Sequence, residues 1–91
     1  LAVNGVPTNN NPAKIINLSL GSGTCTTAEQ QVVSELVSLG VSVVVAAGNN
    51  SSAPAAPADC KGVIAVGGNS RDGSKLRYSS YGTYTTLMAP G

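Results

Sequence analysis

The 91-residue chain contains no histidine, no tryptophan and no phenylalanine. Without histidine it lacks the side chain that most often serves as general base near neutral pH, and the commonest metal ligand. Any chemistry performed here therefore needs groups from outside these residues. Tyrosine is the sole aromatic type, at 3%, and a chain this short has difficulty burying enough apolar area alone. Charge is also scarce: 10% of residues, against roughly 25% in ordinary soluble domains. Five basic and four acidic residues leave a net charge of +1, too weak a field to hold nucleic acid or an anionic membrane surface. No apolar run approaches the ~18 residues of a membrane-spanning helix; the longest is Val43, Val44, Val45, Ala46 and Ala47. No positively charged leader followed by an apolar block is visible. With 42% hydrophobic residues, the low charge is not a signature of disorder. The first residue is Leu1, not Met, so the expectation is a processed or excised piece of a longer protein.

What is present reads as alternating elements. Residues 1–13 are rich in Asn and Pro and predict an exposed loop. Residues 14–20 (KIINLSL) predict a strand, with β-branched residues in partial alternation. A helix opens at Thr26 or Thr27, since Thr26 with Glu29, or Thr27 with Gln30, has capping-box spacing. Its apolar stripe comprises Ala28, Val32, Leu36 and Leu39, widened by Val33 and Val37. Gly40 supplies the left-handed stop. Residues 41–47 (VSVVVAA) read as a strand covered on both faces. Residues 63–67 (VIAVG) form a third, short one. Arg71, Asp72 and Gly73 mark a turn. Residues 76–80 and 85–88 are further strand candidates, and Ala89, Pro90 and Gly91 are breakers.

Strand, helix and strand with tight connections make a βαβ unit, so the strands are expected to be parallel. The fold class is α/β, part of a doubly wound parallel sheet. Such a sheet needs helices on both faces, and one clear helix leaves apolar strand surface facing water. The chain is thus expected to be one segment of a larger domain.

In open parallel sheets, ligands bind beyond the carboxyl ends of the strands. Those ends are Ser19, Leu20 and Gly21 after the first strand, and Ala46, Ala47, Gly48 and Asn49 after the second. The crossover makes them near neighbours. Glycine at both ends admits another backbone, because no Cβ blocks it, and an extended peptide is able to pair with residues 19–21. Asn49 sets a neutral amide donor at the rim, a group suited to holding negative charge on a carbonyl oxygen. The blander reading of Gly48 and Asn49 is a simple turn.

Other features read as structural. Cys25 and Cys60 fall in loops on one edge of the sheet. They form either a disulfide, in keeping with an extracellular protein, or two unrelated reduced thiols. Residues 67–73 lack the Lys-Ser/Thr ending of a phosphate loop. Glu29 and Glu35 are expected to be solvated on the helix, and Asp59 and Asp72 on surface loops. Tyr78, Tyr81 and Tyr84 are expected to be packing groups rather than a base-stacking platform.

Five blocks together resemble a family. IINLSLG (residues 15–21), VVVAAGN (43–49), VIAVG (63–67), YSSYG (78–82) and MAPG (88–91) occur in the order and at about the spacing found in the middle of subtilisin-like serine proteases. The likeness runs from Lys14 to Gly91. It implies a subtilisin-like fold, incomplete here, and a secreted bacterial parent whose two loops are bridged at the positions of Cys25 and Cys60. Asn49 resembles the family's oxyanion-hole asparagine. Ser19, Leu20 and Gly21 resemble the segment that pairs with substrate backbone and forms one wall of the pocket before the cut bond. Ala46, Ala47 and Gly48 resemble the opposite wall. Small residues on both walls imply room for a large apolar side chain.

The chain also departs from the family pattern, whose triad runs Asp, His, Ser. It has no histidine, no first-motif aspartate and no Gly-Thr-Ser-Met-Ala nucleophile block; Ser79 and Ser80 belong to a structural block. The resemblance therefore implies a segment between the family's His and Ser, carrying cleft and oxyanion donor but no triad residue, and inactive by itself. Its partners would be protein or peptide substrates and the remaining segments of the parent. Cofactors are none in this chain; calcium, common in the family, is an expectation for the parent only. The competing reading is a non-catalytic peptide-binding module of the same shape. A nucleotide-binding α/β domain is disfavoured by the missing glycine fingerprint.

Overall fold

The computed structural model describes residues 8–91, so most of the N-terminal loop expected over 1–13 lies outside the described residues. Four parallel strands and one helix follow in the order β1 (Ile15–Leu18), α1 (Thr27–Ser38), β2 (Ser42–Ala46), β3 (Ile64–Asn69) and β4 (Leu87–Pro90). The spatial order of the sheet is β1-β2-β3-β4. Ile15 is in register with Ser42, Val44 with Ile64, and Val66 with Leu87. This is the parallel α/β arrangement expected from the βαβ pattern.

The helix starts where one of the two capping alternatives places it. Thr26 is extended (φ −81°, ψ 164°), and its Oγ1 accepts from the Glu29 amide at 3.1 Å. That bond satisfies one of the four free donors of the first turn. The end is a Schellman motif. Gly40, at φ +83°, donates its amide to the Val37 carbonyl at 3.0 Å, and Val41 donates to Leu36 at 3.0 Å.

Val43, Val45, Ala58 and Ala65 form the buried core, with Leu18, Leu36, Val41 and Val63 packed against it. The apolar stripe of the helix is only partly used. Val33 is buried, but Val32, Val37 and Leu39 are exposed. One helix over one side of a four-stranded sheet has too little partner surface to cover them. The other side carries Asn17, Val44 and Val66 and has no helix among the described residues, so Val44 and Val66 are half-buried. The expectation that apolar strand surface faces water holds, and full coverage of residues 41–47 does not.

Two strand expectations shift. Residues 76–80 are a turn, with Ser79 N donating to the Leu76 carbonyl at 3.0 Å, and pairing near them is limited to a bridge between Lys75 and Asn69. Their backbone groups are drawn to another loop, described below. The last strand begins two residues later than expected because Thr86 supplies its own hydroxyl to the ladder: Ala65 N donates to Thr86 Oγ1 at 3.0 Å. It also runs through Ala89 and Pro90, which read as breakers. Proline is tolerated there because β4 is an edge strand whose outer side needs no amide donor.

Candidate functional site

β1 and β2 are adjacent, and Leu18 stands beside Val45. Their continuations therefore leave the sheet side by side. A cleft of about 230 Å³ opens between them, lined by Ser19, Leu20 and Gly21 on one side and Ala46, Ala47, Gly48, Asn49 and Asn50 on the other, with Ala55. This is room for one amino-acid side chain rather than a drug-sized ligand. No charged residue lines it. All seven residues expected at the strand tips are thus brought to one place. Asn49 is exposed at the rim, while Ala47 is 1% exposed and ends the ladder, its amide donating to Val66 at 2.9 Å.

The flank after β1 is closed by main chain. Ser22 N donates to the Ala56 carbonyl at 2.8 Å, and Ala56 N donates to Gly23 at 3.0 Å. A Cβ on Gly21 would stand 3.0 Å from the Ala56 carbonyl oxygen, so any side chain there would be crowded.

The flank after β2 is held differently. Gly48 has φ +111°, where a side chain is strained, and its absent Cβ would stand 3.0 Å from Ser80 Oγ. Ser80 N donates to the Gly48 carbonyl at 2.8 Å, and Ser80 Oγ accepts from Asn50 N at 3.2 Å. Further on, Ser51 N donates to Tyr78 at 3.0 Å, Ser51 Oγ to Arg77 at 2.6 Å, and Tyr81 N to Ser52 at 2.8 Å. Residues 48–52 and 76–81 are thereby stitched together. Ser51 adopts φ +53°, uncommon without glycine. Lys75 Nζ reinforces the second loop: it donates to the carbonyls of Leu76 at 2.8 Å and Ser79 at 3.2 Å, and lies 5.0 Å from the Tyr81 ring centroid. Tyr78, Tyr81 and Tyr84, expected to be packing groups, are half-exposed. Ser79 and Ser80, at 1% and 0% exposure, are instead what the loop buries.

Cys25 and Cys60 form a disulfide with Cα atoms 5.3 Å apart, closing a separation of 35 residues. It ties the start of α1 to the loop before β3. Gln30 adds a second tie, accepting from Lys61 N at 2.8 Å and donating to its carbonyl at 2.9 Å. Asp59 is not the surface residue expected. Its Oδ2 accepts from Cys25 N at 3.1 Å, and its Oδ1 is buried without a partner among the described residues. Asp72 does lie exposed in a turn. The hydroxyls of Ser70 and Ser74 and the Ser74 amide hold its carboxyl down at about 2.

The family profile described as "Subtilase family" matches residues 2–91. The chain belongs to the subtilase family. It is 47% identical to an extracellular protease of Xanthomonas campestris over 98% of its own length, and spans 16% of that protein. Against an extracellular basic protease of Dichelobacter nodosus it is 37% identical over 98% of its length, and spans 15% of that relative. Among solved structures, a protease from Pseudoalteromonas arctica superposes with a TM-score of 0.93 at 41% identity, covering 99% of this chain and 27% of that one. A cold-adapted subtilisin-like serine proteinase gives 0.80 at 32% identity, covering 89% of this chain and 31% of that one. The sheet and helix are thus a partial subtilase fold.

Calcium, expected only for the parent, gains no support from the His, Cys, Asp and Glu side chains of the described residues. The one cluster of three or more of these among the described residues is Cys25, Asp59 and Cys60. Two of its atoms are sulfurs bonded to each other, whereas calcium takes six to eight oxygens.

Proposed function

We propose that this chain forms the substrate cleft and one oxyanion donor of a secreted serine endopeptidase, whose nucleophile and base lie outside these 91 residues. The observation that carries the reading is Asn49 exposed at the rim of an uncharged, side-chain-sized cleft between two parallel strand tips. A peptide laid along Ser19, Leu20 and Gly21 pairs with them as an added strand. The side chain before the scissile bond enters the cleft, and the absence of charge favours an apolar one. The bond's carbonyl then lies near Asn49. When a serine hydroxyl attacks that carbonyl, negative charge develops on its oxygen, and the Asn49 amide donates to it. Such a donor acts most strongly where charge appears only in the transition state. With no histidine, the chain by itself has no group to take the serine proton, so it is inactive alone. The names of its extracellular relatives support a secreted parent acting on protein substrates.

The test is Asn49→Leu in the full-length protein. The expected result is a fall in kcat with KM little changed; an unchanged kcat sinks the assignment. The figure established for this donor in subtilisin itself, not obtained from this structure, is a loss of ~10²–10³ in turnover. Labelling of the mature full-length protein by a serine-reactive phosphonate separates the enzyme from the alternative, a peptide-binding module without a triad, which stays unlabelled.

A further inference from the structure

An oxyanion donor works only if it is aimed before the reaction begins, so something must fix the turn that carries it. The β2 ladder does not: its last bond is from Ala47 N, two residues before Asn49. The neighbours of Asn49 on both sides are instead held by one residue. Ser80 takes the Gly48 carbonyl with its amide and the Asn50 amide with its hydroxyl. Ser80 is 0% exposed, so water does not compete for that hydroxyl. Its Oγ also occupies the place where a Gly48 Cβ would crowd it.

We propose that Ser80 is a positioning residue that aims the Asn49 carboxamide by clamping Gly48 and Asn50. The proposal rests on the oxyanion role assigned to Asn49 above. The adjacent Ser79 provides an internal control. It is as deeply buried, but its hydroxyl accepts from Gly68 N at 2.9 Å and donates to the Ser80 carbonyl at 3.0 Å, touching neither Gly48 nor Asn50. A purely structural need for buried hydroxyls would make the two serines equivalent. A positioning function makes them different.

A double-mutant cycle in the full-length protease tests this, with kcat and KM measured on one peptide substrate well below each variant's melting temperature. Ser80→Ala is expected to lower kcat roughly tenfold, a fraction of the loss from removing the donor outright. KM stays within about twofold, since the interaction serves the transition state rather than substrate binding. Ser79→Ala is expected to lower the melting temperature while leaving kcat within about twofold. In an Asn49→Leu background, Ser80→Ala is expected to change kcat by less than about twofold, because the group it aims is gone. Should Ser80→Ala prevent folding, Ser80→Thr keeps the hydroxyl and is expected to show a smaller kcat loss, again absent without Asn49. The same fold-loss with and without Asn49, or an equal kcat loss from Ser79→Ala, overturns the proposal. An unchanged kcat in Asn49→Leu alone overturns the oxyanion reading itself, and the cycle reports these failures separately.

Discussion

On one flank of the cleft, residues 21–23 meet Ala56 through two main-chain hydrogen bonds, and no side chain takes part in them. On the other flank, residues 48–52 meet residues 76–81 through bonds that include the hydroxyls of Ser51 and Ser80. In the proposed reading the first flank offers backbone to a substrate, and main-chain bonds of this kind depend little on side-chain identity. In the same reading the second flank aims one side chain, and the hydroxyls of Ser51 and Ser80 that hold its turn are specified by sequence. The general lesson is that a surface for strand pairing is built from main chain, whereas a donor that must point in one direction is built from side chains around it.

The sharpest way to break this comparison is to add one methyl group to each flank in the full-length protein. Gly48→Ala puts a Cβ at φ +111°, 3.0 Å from Ser80 Oγ. Ser80 is then pushed off Asn50, and kcat is expected to fall about ten- to a hundredfold with KM little changed. Gly21→Ala puts a Cβ 3.0 Å from the Ala56 carbonyl oxygen without a positive φ. That crowds the main-chain contact behind the strand-pairing flank, so KM is expected to rise about three- to tenfold while kcat holds within about threefold. Steady-state kinetics on one peptide series separates them. The same kinetic parameter moving in both variants would show that the flanks are not functionally distinct.

The sequence made one flank much easier to read than the other. The strand centres, the Thr26 cap and the Gly40 stop were legible because each is set by neighbours within a few residues. The seven residues at the strand tips were legible because parallel topology alone brings them together. Residues 76–80 have an alternation compatible with a strand, and the partners that bend them lie some 26 to 30 residues away, at Ser51 and Asn50. The carbonyls that Lys75 caps, Leu76 and Ser79, are near in sequence but face its ammonium only once that bend has formed. The helix stripe shows a different limit. Periodicity states which residues prefer burial, not how much partner surface exists to bury them, and Val32 and Leu39 remain exposed.

The disulfide sharpens the comparison from outside the cleft. It joins α1 to the loop before β3, so it supports the scaffold rather than either flank. Replacing both Cys25 and Cys60 by Ala is expected to destabilise the fold by ~3–4 kcal/mol in the chain-entropy account, read as a lower denaturation midpoint. The kcat of the remaining folded enzyme should be unaltered; a fall in kcat under native conditions would mean that the bridge shapes the cleft. Lys75→Met is a smaller perturbation on the side-chain-built flank. It removes the ammonium from the Leu76 and Ser79 carbonyls and the Tyr81 ring. Because Lys75 is exposed, a loss of about 1 kcal/mol is expected, with a modest drop in kcat if the 76–81 loop loosens around Ser80.

The weakest expected effect comes from the turn at Asp72, which belongs to neither flank. The Ser70 and Ser74 hydroxyls lower its pKa from 3.8 to about 2. A carboxyl whose pKa is depressed on folding stabilises the folded state above its unfolded value, and that contribution disappears as pH falls through the folded value. It is therefore present at neutral pH and lost between about pH 4 and pH 2, the interval set by the two pKa values. Asp72→Asn removes the titration, so the melting temperature of the variant should vary less with pH across that interval. At pH 7 the variant should melt slightly lower than the parent and turn over substrate at the same rate. Because the turn is exposed and solvent screens its charge, the difference should shrink further in high salt. A kcat change at neutral pH would instead tie the 70–74 turn mechanically to the 76–81 loop through Lys75, extending the side-chain-built flank beyond the residues that contact the Asn49 turn.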